Sequence, residues 1–301
     1  AHPRVDIVGW QEAGGFVGQL DALPGWTTRS FALGNRPAGI AISWRTRHFP
    51  LVKAARHRVA NGVSSIEGRY PFAARLVVVD HITSATALVL PLAKIAAAAH
   101  AAGALVLADG AHVPGQRALD IGTLGVDWYA ANLHKWAWAP RSAGFLWTAP
   151  AQRAHLRPTV TSWGLDLGLA AEFDLPGTHN PTAFLSAPYA IELIHSYGCE
   201  AVWEYTHDLA WWSGQFLADR WGTAFTTPEE MIAAMVTVPL PGVVGTTADD
   251  AVRTFHALEA AGFEVPVYSV GDHLETRVSA ALYCDRTDVE RFAAAVVALA
   301  A

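Results

Sequence analysis

From residue 75 onward, short apolar runs alternate with longer segments of helical character. RLVVV (75–79) reads as a strand buried on both faces, and the alanine-rich stretch 92–102 as the helix that follows it. ALVLADGA (104–111) is a second strand, closing on Asp109-Gly110. WYAAN (Trp128–Asn132) is a third, stopping just before His134-Lys135, and GFLWTA (144–149) is a fourth. Such repetition predicts an α/β domain with a parallel sheet, whose chemistry lies in the loops at the carboxyl ends of its strands.

Beyond Thr161 the Gly/Pro/Thr-rich stretch SWGLDLGLAAEFDLPGTHNPTAF has no clear period and reads as a long functional loop. One long helical region follows over 183–220. Its aromatics Trp203, Tyr205, Trp211 and Trp212, with Trp221 just beyond, suit a core or an interface. MVTVPLP, a helix around 249–261, FEVPVYSV, the strand ETRVSAALYC and a last helix from Arg286 describe a small α+β domain. Residues 1–72 differ in texture. VDIVGWQEA is a strand ending at Gln11-Glu12, DALPGWTT is rich in turn residues, and GIAISWRTRHFPLV makes two strands meeting near Arg45, a β-rich pattern without βαβ units. The expected division is 1–72 as an atypical segment, 73–220 as a large domain and 221–301 as a small one.

Composition narrows the function classes. A net charge of −6 and a pI near 6.1 provide no basic stripe to neutralise a phosphate backbone, so nucleic acid is not an expected partner. The most apolar stretch, 86–108, is broken by Pro91, Lys94, His100 and Gly103, so no membrane span is expected. Cys199 and Cys284 have neither disulfide-framework nor zinc-finger spacing, which suits a reducing, cytoplasmic setting and no structural metal. The opening Ala-His-Pro carries no secretory pattern, and the lack of an initiating Met leaves a processed or fragmentary start open.

Two charged residues stand at strand ends. Asp109 closes an apolar strand and is followed at once by Gly110, which suits a carboxylate facing a ligand across a tight turn. Lys135 comes 26 residues later, behind another strand, with Leu133 and Trp136 as neighbours. Apolar company would favour its free, nucleophilic amine. Singly, either residue reads as a solvated loop charge or a cap. Together they are the amine and carboxylate that pyridoxal 5′-phosphate chemistry requires, one to form an imine and one to keep the pyridine nitrogen protonated.

The runs DHITSATALVLPL, VLADGAHVPGQ, VDWYAANLHKWAWAPRSAGFLW, VTSWGLDLGLAAEFDLPGTHNPT and DHLETRVSAALYCDRTDVERF resemble the class V aminotransferases, in particular their isopenicillin-N epimerase-like subgroup. The resemblance implies a type I PLP-dependent transferase fold, a homodimer and an amino-acid or peptide-like substrate attacked at its α-carbon. It assigns Lys135 to the Schiff base and Asp109 to the pyridinium nitrogen. His112 falls beside the phenolic oxygen or imine, Asn132 and His134 at the phosphate, and Thr83 and Ser84 beside the ring. Thr178 falls on a loop lent to the neighbouring subunit, and Arg277 on the substrate carboxylate. From the residues alone, His112 reads equally as a loop histidine bonded to backbone, Thr178 as a turn cap, and Arg277 as a surface partner of Glu275 or Asp272. Neither Cys199 in a helical region nor Cys284 in a strand suits a mobile persulfide carrier.

Ahead of Arg75, the phosphate-holding strand–turn–helix and ring-stacking aromatic of that family are not recognisable. VDIVGWQEAGGFVGQLDALPGWTT and GIAISWR instead resemble the opening of the endonuclease/exonuclease/phosphatase family, in which Glu12 would be the metal-binding Glu. A fused chain with weakened cofactor binding is the resulting expectation. Its alternatives are an inactive remnant of the PLP fold and a metal-dependent phosphoesterase acting through Glu12.

Overall fold

The computed structural model describes residues 76–174 and 177–299, and the backbone of five earlier strands: β1 (Ile7–Gln11), β2 (Trp26–Phe31), β3 (Ile40–Arg45), β4 (His57–Arg58) and β5 (Ser64–Ser65). β3 pairs antiparallel with both β1 and β2, and β4 pairs with β5, in keeping with the β-rich texture of this stretch. Glu12 lies outside the described residues, as do the positions where the family's phosphate loop was sought.

From residue 76 the chain forms two compact units. The first takes in 76–81 and 91–199. Its four-stranded sheet runs β6 (Leu76–Asp80), β7 (Leu105–Asp109), β8 (Trp128–Asn132) and β9 (Gly144–Thr148) in that order. β6, β7 and β8 are parallel as expected, and β9 runs antiparallel to β8, which corrects the expectation of a parallel sheet at that one strand. The loop between Asn132 and Gly144 contains no helix to make the crossover that a parallel return usually uses. Helix α1 (Leu92–Ala101) makes the β6-to-β7 crossover and buries Leu92, Ala96 and Ala99 against Val106, Ala108 and Tyr129.

Asp127 ties this core together. Its Oδ2 accepts from the Val106 amide at 2.7 Å and faces His100 Nε2 at 2.8 Å, while Oδ1 accepts from Gln152 Nε2 at 3.1 Å. Asp127→Ala strands a buried amide and is expected to lower unfolding free energy by about 3 kcal/mol, measured by denaturant titration.

The stretch read as a patternless loop contains helix α2 (Leu169–Asp174), whose Glu172 is buried with its carboxylate 3.6 Å from Arg157 Nε. The long helical region is two helices, α3 (Thr182–Tyr197) and α4 (Cys199–Trp221). They part at Gly198, whose φ of 83° is left-handed and ends α3.

The second unit takes in 82–90 and 200–299. Its antiparallel sheet has the order β10 (Met235–Pro239), β12 (His273–Ser279), β11 (Val267–Val270). Helices α4, α5 (Ala248–Ala260) and α6 (Arg286–Leu299) close over it around Leu217, Val238, Leu258, Leu274 and Val296. A capping box of Thr247 and Asp250 starts α5. β12 ends at Ser279, so Cys284 sits in the following turn and not in a strand; its carbonyl accepts from Tyr205 Oη at 2.6 Å.

Candidate active site

The carboxyl ends of β7 and β8 gather the expected residues of the first unit. Asp109 ends β7 with its side chain exposed, and its Oδ1 accepts from the Ala111 amide at 2.9 Å. Gly110 follows because nothing larger fits: a Cβ there would collide with the Tyr129 ring. The turn then delivers His112, 8% exposed, whose carbonyl accepts from buried Gln116 Nε2 at 2.6 Å.

Gly115, at φ 94°, lies against the Trp136 carbonyl, so this turn and the loop after β8 touch. That contact brings Lys135 Nζ to 3.1 Å from His112 Nε2 and Trp136 Nε1 to 3.3 Å from His112 Nδ1. Both ring nitrogens of His112 therefore lie within hydrogen-bond distance of side chains of the next loop. Lys135 is exposed, and an imidazole is among its partners. Asn132 is half-buried at the end of β8. His134 Nδ1 lies 3.0 Å from the Ala143 carbonyl, to which it can only donate. The neutral ring then has no proton on Nε2, and only the imidazolium would donate to a phosphate there. Thr178 is exposed, next to Gly177.

Beneath Asp109 lies a pair that the sequence did not reveal. His81 Nδ1 and Tyr129 Oη stand 2.9 Å apart, with Tyr129 fully buried. Burial, with the charge of Asp109 adding, pushes the Tyr129 phenol above its ordinary range. Burial and then the positive charge of Arg117 pull His81 from 6.5 down to about 4. The folded protein thus holds fewer protons at His81 than the unfolded chain between these values, so stability falls as pH drops from 6.5 toward about 4. Chemical-denaturation midpoints should show this decline, and His81→Asn should flatten it.

In the second unit, Arg277 on β12 does not pair with Glu275, which is engaged with His273 at 3.0 Å. Its Nη1 donates to the Ser84 carbonyl at 2.6 Å and lies 3.3 Å from Ser84 Oγ, while its Nε is buried without an acceptor among the described residues. Thr83 Oγ1 accepts from the Leu88 amide at 2.8 Å and pairs with Thr86 Oγ1 at 2.6 Å, so that hydroxyl closes its own turn. Among the described residues no group of His, Cys, Asp and Glu could hold a metal ion, and no helix is long and apolar enough to cross a membrane.

Isopenicillin N epimerase of Streptomyces clavuligerus is 32% identical over 247 residues, covering 75% of this chain and 60% of its own. An L-cysteine desulfhydrase of Arabidopsis thaliana is 32% identical over 203 residues, covering 65% of this chain and 45% of its own. The chain spans about half the length of the curated relatives that it matches. The structure of apo cysteine desulfurase from Thermococcus onnurineus NA1 superposes with a TM-score of 0.64 at 20% identity, over 75% of this chain and 60% of that one, and so shows the type I PLP fold. These comparisons lend no support to an endonuclease/exonuclease/phosphatase kinship for residues 1–72. Members of the matched family use pyridoxal 5′-phosphate, and the reachable amine of Lys135, the imidazole beside it and the exposed carboxylate of Asp109 are a donor set that fits this group. The family model for aminotransferase class V matches residues 63–292, and the chain belongs to that family.

Proposed function

We propose that this chain carries the catalytic core of a pyridoxal-phosphate enzyme that removes the α-proton of an amino acid, Lys135 being both the Schiff-base lysine and the base. The observation that carries the reading is the Lys135–His112 contact of 3.1 Å at the sheet's carboxyl edge, one strand away from Asp109. When bound, the cofactor supplies an electron sink for the α-carbon. Asp109 would hold the proton on the ring nitrogen, and Asn132, with His134 beside it in the chain, would hold the phosphate. Thr83 and Ser84 would flank the ring, and His112 would keep Lys135 oriented. Arg277 would grip the substrate carboxylate, a role that its Nε, buried without an acceptor among the described residues, supports. Relatives named for cysteine desulfhydrase and isopenicillin N epimerase activity make lyase and epimerase outcomes the leading candidates, with L-cysteine the first substrate to try. Cys284 is tied through its carbonyl to Tyr205 and Cys199 opens a helix, which disfavours a desulfurase with either as persulfide carrier.

The test is α-proton exchange in deuterated buffer with added cofactor, followed by NMR on L-cysteine and L-alanine. Deuterium at the α-carbon, absent with Lys135→Ala, is the expected result; no exchange with any amino acid at saturating cofactor would leave an inactive remnant of the fold.

The acting unit is a homodimer formed through α3. Leu185, Tyr189, Leu193 and Tyr197 recur every four residues along α3 and are exposed, with Trp163 89% and Leu167 74% exposed in the same unit. A patch of this kind marks a protein interface, and Thr178 lies just ahead of it in sequence, where a neighbouring subunit could use it. Tyr189→Glu is expected to convert dimer to monomer in light scattering.

A further inference from the structure

Building on the proposed role of Lys135, we infer that Trp136 is a positioning residue that locks His112 into its Nε2–H form and so requires Lys135 to be the acceptor of their hydrogen bond. An indole nitrogen only donates. Trp136 Nε1, 3.3 Å from His112 Nδ1, therefore demands a lone pair on Nδ1. The proton of the neutral imidazole then sits on Nε2, the atom 3.1 Å from Lys135 Nζ. An Nε2–H can only donate, so Lys135 receives it through the lone pair of an uncharged amine. An ammonium at Lys135 would set two donors against each other across that contact, and an imidazolium at His112 would do the same against the indole.

The ring has little room to escape this arrangement. His112 is buried, its carbonyl is held by Gln116, and Gly115 lies against the Trp136 carbonyl, so the two loops move together. Trp136 thus determines which nitrogen carries the histidine's proton, and through it which form of the lysine fits, without touching the reacting atoms. A purely structural tryptophan would fill the same space and leave the tautomer undetermined.

Long-range proton–nitrogen NMR on the full chain, labelled with nitrogen-15 at histidine and free of cofactor, reads this directly. The chain has 13 histidines, and comparison with His112→Asn identifies the signal. At neutral pH the wild-type protein should show His112 protonated at Nε2 alone. Trp136→Phe, which keeps an aromatic ring and removes the donor, should lose that signature and give shifts averaged between tautomers. Competitive acetylation, which reports the uncharged amine, should show Lys135 losing reactivity relative to Lys94 in the same variant. His112 protonated at Nδ1 in the wild type would overturn the inference even if the variant did not fold, as would an unchanged tautomer in a folded Trp136→Phe. Either result leaves the α-proton exchange assay free to decide the proposed function separately.

Discussion

Lys135→Ala is expected to lower α-proton exchange and turnover of any amino-acid substrate by at least about 10³-fold, because one substitution removes both the covalent anchor and the proton carrier. Lys135 is exposed, so alanine there opens no core cavity and leaves thermal stability close to wild type. A loss of activity with an unchanged melting temperature would place the effect in the chemistry. Activity within about tenfold of wild type would remove Lys135 from the mechanism.

Asp109→Asn is expected to cost about 10²- to 10³-fold in kcat, the range for removing a preorganised charge from an active site. The substitution isolates charge from shape. Asp109 Oδ1 accepts from the Ala111 amide at 2.9 Å, which an asparagine oxygen can also do, so the turn that presents Gly110 and His112 survives. What is lost is the carboxylate that holds a proton on the cofactor's ring nitrogen. Removing that charge should also move the buried Tyr129 phenol back toward its ordinary value, since Asp109 adds to its upward displacement. Spectrophotometric titration of tyrosine therefore checks that the substituted side chain still lies near the sheet edge.

Much of this arrangement was legible along the chain. WYAAN is a strand over Trp128–Asn132 because an apolar run bounded by loop residues has little alternative in a covered sheet, and Asp109 and Lys135 fall where strand ends predict them. The sequence showed less of what depends on partners far along the chain. The antiparallel direction of β9 goes with the lack of a crossover helix after Asn132, a signal present in the sequence but outweighed by the βα rhythm. Gly198 divided what periodicity had joined, since a left-handed residue between two apolar helices interrupts no hydrophobic pattern. Trp136 was read as an apolar neighbour of Lys135, whereas its indole nitrogen is what matters, and no local pattern announces a partner 24 residues away. His81 and Tyr129 meet across 48 residues, and His81 reads in sequence as just another member of the DHITS run. Lys135 itself was expected in apolar company from its sequence neighbours, and it lies exposed, 3.1 Å from an imidazole nitrogen. Neighbours in sequence did not foretell neighbours in space at the one residue where it mattered most.

The most direct test of the central claim uses the scarcity of lysine, for the chain has only Lys53, Lys94 and Lys135. The full chain would be incubated with pyridoxal 5′-phosphate, reduced with borohydride, digested and mapped by mass spectrometry. The phosphopyridoxyl group is predicted on Lys135 alone. Modification of Lys94 or Lys53 to the same extent, or of no lysine at saturating cofactor, would contradict the account.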